Sequence, residues 1–110
     1  MASKFSLFKG SNGQFYFNLK AGNGEKVLGS EGYTSKQGCE RGIASVKTNA
    51  PYDSRYEKKT SSNGSYYFIL NASNGETIGK SEMYATSASR DNGIEVVKRE
   101  APLASTDDLT

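Results

Sequence analysis

The side chains here that are suited to chemistry are one thiol, Cys39, seven tyrosines and twelve carboxylates, with no histidine anywhere. Without histidine there is no imidazole base, no imidazole metal ligand and no His-based nucleophile triad. One cysteine closes no internal disulfide and builds no zinc site. Gly10, Gly13, Gly22, Gly24 and Gly29 cluster at hairpin positions, so they do not form the strand-to-helix loop that cradles phosphates. These exclusions predict no catalytic set, no cofactor and no metal, and hence a protein that is not an enzyme.

Three groups remain. Cys39 near a helix start is a candidate reactive thiol, because the helix dipole lowers thiol pKa values. Its counterpart further along the chain is Arg90, so a small core residue is the preferred reading. Glu31 and Glu82, with Glu25 and Glu76, are placed so that a two-fold relation would face one pair across an axis as a carboxylate dyad. Surface pairing with lysine, or a place at a helix N-terminus, is the commoner fate of such residues.

The third group is Tyr16 and Tyr67, with Phe8, Lys20, Lys59 and Ile69 around them. It has three readings: cross-strand aromatics steadying a solvent-facing sheet, a protein-docking surface, or a platform on which single-stranded bases stack. The formal charge of +2 ranks nucleic acid last.

What positions these residues is a duplication. SNGQFYFNLKAGNGE at 11–25 returns as SNGSYYFILNASNGE at 62–76, and a shift of 51 aligns Lys4–Pro51 with Arg55–Pro102 without a gap, about 19 of 48 pairs being identical. The four Asn-Gly pairs suggest type I′ hairpin turns. Between them Phe15, Phe17, Leu19 and Ala21 alternate with Tyr16, Asn18 and Lys20, which is strand periodicity with one apolar face. Tyr66, Phe68, Leu70 and Ala72 repeat that face, and Phe5, Leu7 and Tyr56 extend it on flanking strands.

The period then changes. Cys39, Ile43 and Val46 recur at i, i+4, i+7, one stripe of a helix. Ser35 and Thr86 are its N-caps in the two halves, Tyr33 and Tyr84 its hydrophobic staples, and Ala50-Pro51 and Ala101-Pro102 its stops. Gly42 and Gly93 sit mid-helix, where glycine costs about 0.5–1 kcal/mol. Bearing that cost at equivalent sites implies that the helix backbone presses on the sheet with no room for a Cβ.

Each half therefore reads βββα, too small to bury its own core. The expected fold is α+β: two tandem repeats, about 4–53 and 55–104, forming one mainly antiparallel sheet with both helices on one face, pseudo-two-fold symmetric. Residues 1–110 are expected as a single domain and a monomer carrying its own pseudo-dimer, with residues 105–110 a polar, frayed C-terminal tail or a last edge strand near Asp107–Leu109.

In order, strand–NG–strand, AxNGE, SExY, a Ser/Thr cap, GIxxVK and AP, each present twice, resemble the YegP-like family of small bacterial proteins. The resemblance spans nearly the whole chain. It implies two β3α units around one sheet, with exchange of C-terminal strands as one form of the assembly. It implies no activity, cofactor or active-site residue, and the chain departs from the pattern at Arg90 and Asn92.

Basic residues lead in the first half (seven against four acidic over 4–53) and acidic ones slightly in the second (seven against eight over 54–110). MASKFSLFKG has no signal-peptide pattern, and no apolar run is long enough to cross a membrane. The expectation is a cytoplasmic interaction module with a protein partner, nucleic acid being the alternative and a carboxylate- or lysine-based enzyme at the axis the third.

Overall fold

The Asn-Gly pairs close the hairpins in a different way from type I′. In the computed structural model, which describes residues 3–110, the Gly13 amide donates to the Gly10 carbonyl at 3.0 Å and Gly10 to Gln14 at 2.8 Å. The central turn residues are thus Ser11 and Asn12, and only Gly13 takes a positive φ, +82°. This is a type I turn followed by a left-handed glycine, the three-residue hairpin with a bulge. Asn12 contributes through its side chain, whose Oδ1 accepts from the Gln14 amide at 3.0 Å. The same bonds recur at Gly24, Gly64 and Gly75. Met1 and Ala2, at the start of the stretch read as lacking a signal peptide, lie outside the described residues.

The turns join β1 (Lys4–Lys9), β2 (Phe15–Lys20) and β3 (Lys26–Gly29), followed by α1 (Lys36–Asn49). They likewise join β4 (Tyr56–Thr60), β5 (Tyr66–Asn71) and β6 (Thr77–Lys80), followed by α2 (Ser87–Glu100). Ser35 and Thr86 cap the helices, accepting from the Gly38 and Ser89 amides at 3.0 and 3.1 Å. Ala50 and Ala101 end them.

Among the described residues all seven strands form one sheet in the order β4-β5-β6-β3-β2-β1-β7, antiparallel except for the parallel pair β1–β7. The tail is not frayed: β7 (Ser105–Asp108) pairs with β1, and Asp108 binds Lys36 of α1 at 2.5 Å. A strand without apolar residues is held by its neighbour's backbone, a bond that composition does not advertise.

The repeats meet at Gly29↔Lys80, one position paired with its own equivalent, which marks the pseudo-axis. Two copies of one bulky residue would collide there. A Cβ on Gly79 would lie 2.6 Å from Leu28 Cδ2, and Leu28 is Gly79's repeat equivalent. The duplicated sequence breaks its symmetry at the axis because space there admits one leucine.

The core lies between helices and sheet. Phe5, Leu7, Phe17, Leu19, Leu28, Phe68 and Leu70 from the strands meet Cys39, Ile43, Val46, Ile94 and Val97 from the helices, each large side chain contributing about 1.5–3 kcal/mol. Each helix also reaches across the junction, α1 to β5 and β6, α2 to β3.

Tyr33 and Tyr84 are wedges between helix and sheet, not only staples. Tyr33 stacks on Phe17 at 6.3 Å, and a Cβ on Gly42 would lie 2.7 Å from Tyr33 Cζ. The Gly93–Tyr84 pair repeats this at 2.8 Å. The serine of each SExY motif bridges the point where the third strand turns away: Phe17 and Phe68 amides donate to Ser30 and Ser81 Oγ, both at 2.9 Å.

Candidate functional site

Strand alternation sends Phe17, Leu19, Phe68 and Leu70 to the helices, so Phe8, Tyr16, Lys20, Lys59, Tyr67 and Ile69 all lie on the helix-free face. The structure brings Lys59, Tyr67 and Ile69 together. With Gly29, Ser30, Glu31, Thr77, Gly79 and Lys80 they line a hollow of about 290 Å³ beside the pseudo-axis. Tyr67 and Ile69 are half-buried and Lys59 and Lys80 exposed. Lys80 Nζ stands 5.1 Å from the Tyr67 ring centroid, and Lys59 binds Glu57 at 3.6 Å. A sheet seldom makes a hollow; this one forms where β6 and β3 share the single pair Gly29↔Lys80 and Gly29 offers no side chain.

Tyr16, Phe8 and Lys20 lie away from it. Tyr16 stacks on Phe8 at 5.7 Å with rings 19° apart, and its hydroxyl accepts from Asn12 Nδ2 at 2.8 Å. Lys20 pairs across to Lys4 and Lys26. The repeats thus carry the same tyrosine in unlike settings, because the neighbours Phe8, Asn18 and Gly29 become Lys59, Ile69 and Lys80. Sequence reading missed Lys80 and Gly29. The signal was their mismatch at equivalent positions on the third strands, which carries meaning only once those strands are known to pair.

Glu31 and Glu82 line two hollows that adjoin at Gly29, Ser30 and Lys80. Glu31 lines the Tyr67 hollow, whereas Glu82 lies in a second, with Met83 and Ser81, and binds Lys26 at 3.2 Å. Cys39 is fully buried, and burial pushes its thiol up to about 11, with the Glu40 charge adding to the shift. It is a core residue with no thiolate at neutral pH. Burial likewise raises Tyr33 and Tyr84. Arg90, at the Cys39 position of α2, lays its guanidinium over Tyr66 at 5.4 Å and binds Asp91 at 3.2 Å. Among the described residues no group of three or more Cys, Asp or Glu side chains is placed to hold a metal ion, and no helix is long and apolar enough to cross a membrane.

Comparison with known proteins places this architecture. The model of a domain of unknown function, DUF1508, matches twice, over residues 11–57 and 61–108. The chain belongs to the DUF1508 family. It is 59% identical over 98 residues to the UPF0339 protein YegP of Escherichia coli K12, covering 89% of each chain. To a UPF0339 protein of Bordetella pertussis it is 54% identical over 108 residues, 98% of this chain and 97% of that one. The solution NMR structure of Escherichia coli yegP, described as a protein of unknown function, superposes with a TM-score of 0.94 at 55% identity, over all of this chain and 95% of that one. That of a UPF0339 protein from Shewanella oneidensis gives 0.94 at 48% identity, over all of this chain and 93% of that one. In this DUF1508 chain the same family positions end the two copies differently: the second ends at the last residue of β7, the first at the second residue of β4.

Proposed function

We propose that this chain is a small, cytoplasmic, non-enzymatic interaction module that docks a protein partner on its helix-free sheet face. One observation carries the reading: the Tyr67–Ile69 hollow gives that face a half-buried apolar floor with Lys59, Lys80 and Glu31 at its rim. An apolar centre inside a charged border is the anatomy of a protein contact, and a tyrosine is a common anchor there. Most residues that recur in both repeats serve turns, caps, wedges or the core, whereas Lys59, Ile69 and Lys80 of this hollow differ from their repeat equivalents and have none of those tasks.

The test is capture from bacterial lysate on the immobilised full-length chain, with Tyr67→Ala and Ile69→Ser each expected to weaken it about tenfold or more. Arg41→Ala, on the exposed face of α1, is expected to leave capture unchanged. Capture indifferent to Tyr67 and Ile69, or turnover of a metabolite by the purified chain, overturns the reading.

A single-stranded nucleic-acid platform is the second reading, favoured by the lysines of the same face, Lys4, Lys20, Lys26, Lys59 and Lys80. Against it, Phe8 already stacks on Tyr16 and Lys80 on Tyr67. It requires oligonucleotide-induced amide shifts that weaken with salt and with Tyr16→Ala and Tyr67→Ala. Their absence rejects it.

A further inference from the structure

The two outer edges of the sheet differ. On one side β7 runs parallel to β1 in the register Phe5↔Thr106, Leu7↔Asp108, and the Leu109 amide donates to the Leu7 carbonyl at 2.8 Å. On the other side, among the described residues, β4 ends the sheet. The repeat equivalents of Ser105–Asp108 are Ser54–Glu57, and these run from the short turn before β4 into its first two residues. Tandem fusion therefore fills one β7 seat and leaves its twin without a strand.

The twin seat is formed. Leu7 turns its carbonyl toward β7, so its equivalent Lys58 turns its own carbonyl and amide outward from β4. Between β4 and α2 runs a groove of about 560 Å³ lined by Asp53, Tyr56, Lys58, Asp91, Ile94 and Glu95. The groove carboxylates are engaged: Asp53 and Glu95 bind Lys98 at 2.5 and 3.4 Å, and Asp91 binds Lys58 at 3.3 Å and Arg90 at 3.2 Å.

At the filled seat Asp108 meets Lys36 of α1. At the vacant seat Ser87 replaces Lys36, while Lys58 replaces Leu7. The cation has moved from helix to strand, and a residue in Asp108's register would stand against Lys58, with Asp91 still held by Arg90.

We propose that the outer edge of β4 binds an extended, acid-bearing segment of a partner protein by parallel strand addition, in the register that β7 adopts on β1. Backbone hydrogen bonds supply the affinity and Lys58 selects the charge. This surface is separate from the Tyr67 hollow, so the two readings stand or fall independently.

The experiment titrates the full-length chain, labelled for NMR, with a synthetic capped peptide of sequence ASTDDLT, the chain's own residues 104–110, up to millimolar concentration. The expected result is saturable amide shifts over Tyr56–Thr60 and Asp91–Glu95, slowed exchange of the Lys58 amide, and an unchanged β1. N-methylation of the peptide's leucine amide, the donor that Leu109 provides at the filled seat, is expected to abolish binding, and Lys58→Glu to weaken it about fivefold. Absence of shifts at β4, shifts confined to β1 or to Tyr67 and Lys80, or indifference to either change overturns the proposal. A concentration-dependent dimer through β4 without peptide overturns the partner assignment in favour of a second copy.

Discussion

Gly13 and Gly42 are glycines for unlike reasons, and substitution separates them. At Gly13 a Cβ would meet open space, but φ is +82°. Gly13→Ala should cost about 1–2 kcal/mol of stability, all of it in the backbone, with Gly13→Asn milder. At Gly42 the helical backbone is ordinary, and the obstacle is the Tyr33 ring pinned against Phe17. Gly42→Ala should gain helix propensity yet lose about 1–3 kcal/mol net through overpacking. Tyr33→Phe should recover part of that loss in the double variant, because the hydroxyl is the nearest atom to the added methyl. Chemical denaturation of the four variants checks both claims. Cys39 supplies a pH test. Its folded pKa, about 11, lies above the ordinary thiol value of 9.0, so its contribution is fully present below pH 9 and is lost as pH rises toward 11. Stability measured across that window should fall less steeply in Cys39→Ala.

At the scale of elements, β7 is the piece whose hold is least evident from its residues. It has no buried side chain, yet it covers the edge of β1, where Phe5 and Leu7 are buried. Truncation after Ala104 should lower stability by about 2 kcal/mol or more and speed hydrogen exchange of the Phe5 and Leu7 amides first. The ion pair to Lys36 is exposed, so Asp108→Asn should cost little stability, and less at high salt. Hydrogen bonds from Lys36 and Thr110 hold the Asp108 carboxyl well below the usual carboxylate range. Its contribution is therefore present at neutral pH and fades as pH falls below the ordinary carboxylate value through the lower folded one. Protection factors of the β1 amides, corrected for the intrinsic pH dependence of exchange, should fall in acid in the parent and less so in Asp108→Asn. The helices were legible in detail, caps and stops included, because those signals are local. β7 was legible only as one of two readings of the tail, a last edge strand near Asp107–Leu109, because its partner lies about a hundred residues away in the chain.

At the scale of the molecule, each helix covers strands of both repeats, and one leucine fills the axis. Gly79→Leu should destabilise by about 1–3 kcal/mol through overpacking, and Leu28→Gly added to it should restore most of the loss by moving the leucine across the axis. A fragment of residues 1–53 should be unfolded at low concentration and gain structure only as it self-associates, read by circular dichroism against dilution. A folded monomeric fragment would refute the shared core.

The repeats, the strand and helix periods, the caps and the apolar face were written in the order of residues, because each depends on neighbours a few positions away. The shared sheet with both helices on one face also followed, because neither half could bury its apolar side alone. Only the tertiary structure decided the rest: which third strands meet, that Gly29 and Lys80 open a hollow beside Tyr67, and that one sheet edge is closed by β7 and the other left bare. These depend on where residues distant in the chain come to lie, and a pattern repeated in sequence says nothing about which copy receives the strand.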